Sequence, residues 1–178
     1  MKTIRTLFVT ALGLVAAGAL HAYDPVKGLA HTEVVFFEPE KFTDVRENGL
    51  SDNEKDRNAI LGELRTHIIK QANRLIAPGQ QLKITVTDVD LAGEFEPWRS
   101  GSMADIRIVK DLYAPDIKLS FQLTAQDGTV IKQGERHLRD MGFMMTLSID
   151  RNDSRRYEKE MLDNWLRQEF RALKNKGT

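Results

Sequence analysis

The sequence contains no cysteine. That removes disulfides, thiolate metal sites, a cysteine nucleophile and a lipid anchor carried on cysteine. It lacks an excess of either charge: 26 basic residues balance 26 acidic ones, and no long block of one sign occurs. A chain so balanced has no electrostatic footprint for nucleic acid. Beyond the N-terminus no apolar run is long enough to span a bilayer, which takes about 20 residues. There is no internal repeat and no low-complexity tract. The short motifs of common chemistries are missing too: no Gly-x-Ser-x-Gly elbow, no phosphate-binding loop, no dinucleotide fingerprint, and no paired histidines at metal-ligand spacing among His31, His67 and His137. Ser100 and Ser102 have no base nearby in sequence, so a serine nucleophile has no support. Nothing in the chain calls for a cofactor.

What is present begins with a processing signal. Lys2 and Arg5 precede an apolar run from Leu7 to Leu20, which ends at Leu20-His21-Ala22. A basic start, a short apolar core and a small residue at the break describe a secretory signal peptide over residues 1–22, with cleavage after Ala22 or Ala19. An uncleaved N-terminal anchor is the alternative. Loss of Lys2 and Arg5 leaves two more acidic than basic side chains. The remaining chain of about 150 residues can bury enough surface to fold without disulfides. The expected location is the periplasm, or outside the cell. Residues 23–32 read as a linker and 33–176 as a single domain.

Glu33 to Phe37 is a β-branched and aromatic strand stopped by Pro39. Ser51 and Glu54 suit a capping box, and Ile60, Leu61, Leu64, Ile68, Ala72 and Leu75 form one helical stripe ended by Pro78-Gly79. Leu82, Ile84 and Val86 alternate with polar neighbours. Asp88 and Asp90 then take the apolar face, so either a bulge flips the phase or the strand runs into solvent. Residues 94–104 read as a loop, 105–109 as a short strand, and 110–116 as another loop. Ile117 to Ala125 alternates cleanly, and Asp127-Gly128 turns the chain into a polar edge strand, Thr129 to Leu138. Met141 to Met145 is a further strand or a packed loop. Asn152-Asp153-Ser154 caps a last helix with Met161, Leu162, Trp165, Leu166, Phe170 and Leu173 on one face. The expected fold is α+β: one mostly antiparallel sheet of about five strands in the order β-α-β-β-β-β-α, with both helices on one face.

Two patches stand out. Asp88 and Asp90, two apart on a strand, point the same way, and Glu94 follows, so the three are a candidate hard-cation site. The competing reading is a solvated strand end that pairs with Arg99 or Arg107. Phe95, Trp98, Arg99 and Tyr113 cluster in the loops between strands, a residue mix favoured at recognition surfaces. They compete with a role in capping the sheet end. His67, one turn after Glu63, is expected to touch it on the helix surface.

Longer strings carry a resemblance. Val34–Arg46 (Val-Val-Phe-Phe-Glu-Pro-Glu-Lys-Phe-Thr-Asp-Val-Arg), Val86–Glu94 (Val-Thr-Asp-Val-Asp-Leu-Ala-Gly-Glu), Asp105–Val109, Asp140-Met141 and Arg156–Trp165 resemble the family named domain of unknown function 3016. The resemblance spans the chain beyond the signal. It implies an exported protein of Gram-negative bacteria and supplies no catalytic residue. Three functions are then expected in order: a non-enzymatic module that binds a periplasmic protein or envelope component, a divalent-metal domain or metal-dependent enzyme using Asp88, Asp90 and Glu94, and a small-molecule carrier with an apolar pocket between sheet and helices.

Overall fold

The computed structural model describes residues 31–49, 53–99, 104–145 and 152–174, with side chains to 171. The proposed signal peptide and most of the linker lie outside the described residues. The elements run β1 (His31–Phe36), α1 (Glu54–Leu75), β2 (Gln81–Asp90), β3 (Glu94–Phe95), β4 (Arg107–Ile108), β5 (Asp116–Thr124), β6 (Val130–Arg139) and α2 (Arg156–Lys174). β1 starts at His31, so ordered strand begins inside the expected linker.

The α+β class and the two helices are as expected, but the sheet is not single. β1, β2, β5 and β6 form a four-stranded sheet in that order, and β3 and β4 pair separately as a two-stranded sheet. β1 and β2 are parallel because α1 carries the chain back across the sheet between them. β2–β5 and β5–β6 are antiparallel. The expected strand at 105–109 shrinks to Arg107–Ile108 and turns back on Glu94–Phe95, a segment expected to be loop. It lies outside the main sheet, where β2 pairs directly with β5.

α1 is capped by Asn53, whose side-chain oxygen accepts the Asp56 amide at 2.8 Å, rather than by Ser51, which lies outside the described residues. Its buried stripe is Ile60, Leu61, Leu64, Ile68 and Ala72. On β2, Leu82, Ile84 and Val86 are buried, the register slips between Val86 and Asp88, and Val89 becomes the next buried residue. The phase does flip, through a bulge at Thr87. β5 contributes Ile117, Leu119, Phe121 and Leu123 to the same core as residues of both helices. The opposite face, with Lys83, Thr85, Lys118, Ser120, Gln122 and Gln133, is left to solvent. Two shallow cavities open on that face, one lined by Lys83, Thr85, Ser120, Gln122 and Gln133 and the other by Thr87, Lys118, Ser120, Glu135 and His137.

α2 docks through Phe121, Trp165 and Phe170, whose rings meet edge to face at 5.4–5.8 Å. Gly134 lies opposite Phe121, and a side chain there would collide with the Arg136 guanidinium at 2.9 Å. The empty position lets Arg136 lie over the Phe121 ring and pair with Glu169 at 2.8 Å. The helices also meet through ions: His67 contacts Asp163 at 2.7 Å, not Glu63, which pairs with Lys159. Met141–Met145 is not a strand. It closes as a 3-10 turn over Phe143–Met145, with Phe143 buried against Ala92 and Ala114.

Candidate functional site

Both candidate patches sit at one end of the molecule, where β2 stops, β5 starts and β6 stops. The bulge at Thr87 turns Asp88 and Asp90 onto the face opposite Val89. Asp88 is fully engaged: it accepts the Thr43 amide at 2.8 Å and hydroxyl at 3.0 Å, and pairs with Lys118 at 2.8 Å. These bonds outweigh its partial burial and hold its carboxyl below the ordinary range.

Among the described residues Asp90 has no such support. Asp116 is its partner on β5. On its other side the chain at Asp44 runs alongside, with the Asp44 amide on Val89 O and the Leu91 amide on Asp44 O, both at 3.1 Å. Asp90 is therefore flanked by a carboxylate on each side. Partial burial first, and then the charges of Asp44, Glu94, Asp116 and Asp88, push its carboxyl up to about 6. Asp116 is met by His137 at 2.6 Å. Asp44 is buried and lies 3.0 Å from Arg46 Nε and 3.1 Å from Arg107. Arg107 also donates to Gly93 O at 2.9 Å and to Arg46 O at 3.0 Å.

The expected metal set does not converge. Glu94 turns to the Phe95 amide at 2.8 Å and stands 3.9 Å from Arg46. Among the described residues no group of three or more His, Asp or Glu side chains is placed to hold a metal ion.

The aromatic patch divides. Phe95 is buried between the guanidinium groups of Arg46 at 5.2 Å and Arg107 at 4.5 Å, so it anchors the small sheet. Arg99 and Tyr113 face inward to Glu96, a residue the sequence reading passed over. Glu96 is 1% exposed and accepts Arg99, Lys110 and the Tyr113 hydroxyl, the last at 3.0 Å. Lys110 first, then Arg99, hold its carboxyl down at about 2. Trp98, two residues further on, stands 72% exposed. Of the four proposed recognition residues, three build a frame and one is displayed by it.

A second missed carboxylate, Glu158, lies buried in the first turn of α2 and accepts the Ala92 amide at 2.7 Å. Burial raises its pKa. An acid in the first turn of a helix is legible as a helix start, but nothing local says that it is buried or that it ties α2 to the loop after β2.

Gly93 sets that loop's path. Its φ is +86°, and a Cβ would meet Ile108 O at 2.9 Å. Gly93→Ala is expected to cost about 1–3 kcal/mol in urea unfolding, from left-handed strain added to the close approach. Gly62→Ala, with open space around it in α1, is expected to stabilise by about 0.5–1 kcal/mol. Similar losses at both positions would mean that the β3–β4 packing does not constrain Gly93.

Residues 30–168 match the family model described as Protein of unknown function (DUF3016). No curated protein and no solved structure matches the chain.

Proposed function

We propose that this chain, which belongs to the family Protein of unknown function (DUF3016), is an exported binding module rather than an enzyme, and that its loop end engages a periplasmic protein or envelope component. The observation that carries this reading is Trp98. A large aromatic side chain left 72% exposed, at the end of the molecule where other apolar side chains are exposed too, is suited to contact with a partner. It follows immediately on a frame whose charges are satisfied internally by Glu96. The same end carries exposed Ile106, Leu112, Met141, Met144 and Met145 on the loops after β2 and β6. Methionine and tryptophan together suit a surface that adapts to a partner. Export rests on the character of residues 1–22. Among the described residues no helix is long and apolar enough to cross a membrane.

The test places a photo-crosslinking amino acid at Trp98 or, as control, at Gln122 on the solvent face of the sheet, in cells. An adduct from position 98 and none from 122 is expected. Trp98→Ala should abolish function while unfolding within about 0.5 kcal/mol of the parent, as a surface change does. Adducts from both positions, or from neither, would remove the loop end as the site. The mass of the protein released by osmotic shock should fit a chain starting at Tyr23 or, with the earlier cut, at Leu20.

A further inference from the structure

Methionine ordinarily fills gaps in a packed interior, and Met161 does so here, 5% exposed in the main core. The three methionines after β6 do not. Met141 is 63%, Met144 50% and Met145 89% exposed. The space under that segment is filled by Phe143 instead. Phe143 is buried, packs with Ala92 and Ala114, and meets the Tyr157 ring edge to face at 4.8 Å.

The backbone holds these residues in an anchored turn. The Asp140 amide donates to Pro115 O at 3.4 Å and ties the segment to the start of β5. Asp140 Oδ1 accepts the Gly142 amide at 2.9 Å, and the Met145 amide closes the turn on Gly142 O at 2.8 Å. Phe143 pins the inner side. Met141 and Met144 stand three positions apart, the spacing at which side chains eclipse in a 3-10 turn, and Met145 adjoins them. Three solvent-facing thioethers thus share one short turn, with the exposed Asp140 carboxylate next to Met141 in the chain.

Thioether sulfur is a soft, uncharged donor that suits Cu(I), whereas hard cations such as Ca²⁺ take oxygen ligands. The chain has no cysteine, so no thiolate competes for such an ion. We propose that Met141, Met144 and Met145 form a surface site for Cu(I), with Asp140 supplying a neighbouring negative charge. The unbranched methionine side chain has three rotatable bonds, so the sulfurs can close around an ion while the turn stays in place. A thioether has no proton to lose, so binding is independent of pH where a histidine ligand would titrate. The site is separate from Trp98 and stands whether or not the loop end engages a partner.

The test titrates the protein without oxygen, using Cu(I) buffered by a competing chelator. Ag(I) serves as a second probe of the same soft chemistry, and methionine methyl groups are labelled for NMR. The expected result is saturation at one ion per chain. The methyl signals of Met141, Met144 and Met145 should shift while that of Met161 stays. Zn²⁺ and Ca²⁺ should leave these signals in place, and affinity should be flat between about pH 5 and 8. Met144→Leu should weaken binding by at least about tenfold, since even changes outside the ligand set cost that much at metal sites. Leucine at all three positions should abolish binding with the melting temperature unchanged. Leucine keeps the surface apolar, so this loss separates coordination by sulfur from hydrophobic contact, and crosslinking from position 98 should persist in the triple variant. The proposal is overturned if either ion fails to saturate at one per chain, or if the leucine variants bind like the parent. It is equally overturned if Zn²⁺ shifts the same signals, or if affinity falls with the protonation of a histidine.

Discussion

Phe170→Ala should lower the unfolding free energy by about 3–5 kcal/mol, the largest loss expected of any single truncation considered for this chain. Phe170 has no exposed surface and meets Phe121 at 5.4 Å and Trp165 at 5.8 Å, each ring edge to face. Those two rings touch each other at 5.8 Å. The three form the joint between the end of α2 and the middle of β5. A truncated ring leaves a void between partners that cannot close on it, because Phe121 is fixed in the sheet and also carries the Arg136 guanidinium. The cavity cost therefore adds to the lost transfer energy. Glu169, the neighbour of Phe170, holds Lys132 at 2.6 Å and Arg136 at 2.8 Å, so a shift of the helix end also loosens the ion pairs to β6. At about 2–4 °C per kcal/mol for a chain of this size, the melting temperature should fall by about 10 °C. Phe37→Ala, at an exposed position, is the control and should change stability by less than about 0.5 kcal/mol. Urea unfolding decides: the midpoint should move with the slope unchanged. A loss below about 1 kcal/mol would mean that the end of α2 is not docked as described.

Phe170 was legible as core because α2 repeats its apolar residues at helical spacing, and so was the stripe of α1. Alternation likewise marked β2 and β5. What periodicity cannot carry is which strand lies beside which. The parallel pairing of β1 with β2 follows from the crossover through α1, and the pairing of β2 with β5 is long-range. The 105–109 segment pairs instead with Glu94–Phe95 in a separate sheet, and no local pattern announces that. The broken phase at Asp88 was legible, but it fitted a bulge or a strand running into solvent equally, and only the register slip between Val86 and Asp88 with Val89 buried decides for the bulge.

The site was less legible for a related reason. Asp88, Asp90 and Glu94 look equivalent in sequence, yet each has a different environment. Asp88 is bonded, Asp90 is crowded by like charge, and Glu94 turns to its own neighbour. Those differences come from Thr43, Asp44, Asp116 and Lys118, all of which lie more than 20 positions away. Phe95, Arg99 and Tyr113 were legible as a cluster but not as a frame, because Glu96, the residue that gathers two of them, looks like an ordinary loop acid until its burial is known. Trp98 differs from Phe95 only in being left outside.

Asp90→Asn should stabilise the protein at pH 8 and leave it unchanged below about pH 4. The carboxyl of Asp90 sits at about 6 in the folded chain, against 3.8 for an ordinary aspartate. Between those values the folded state holds a proton that the unfolded state has released. Stability from this group is therefore fully present below pH 3.8, declines as pH rises through 6, and is flat above. A shift of about two units corresponds to about 3 kcal/mol. Asp90 is only partly buried and solvent screens part of this, which reduces the expected gain to about 1–2 kcal/mol. Glu158 works in the same direction, since its burial also favours the protonated form. Asp88, Asp153 and Glu169 oppose it: their bonds to Lys118, Lys159, Arg136 and Lys132 lower their pKa values, so their contribution is lost as pH falls below the ordinary carboxylate range. The two groups together place the stability maximum on the acid side of neutrality, between about pH 4 and 6. Urea unfolding of parent and Asp90→Asn at pH 4, 6 and 8 measures this. The curves should meet at pH 4 and separate at pH 8, with the variant above. A parent that is the more stable of the two at pH 8 would show that Arg46, Arg107 and Lys118 hold Asp90 ionised despite the carboxylates on either side. The acidic strand end would then be a built anionic site rather than a place where the fold tolerates crowded charge.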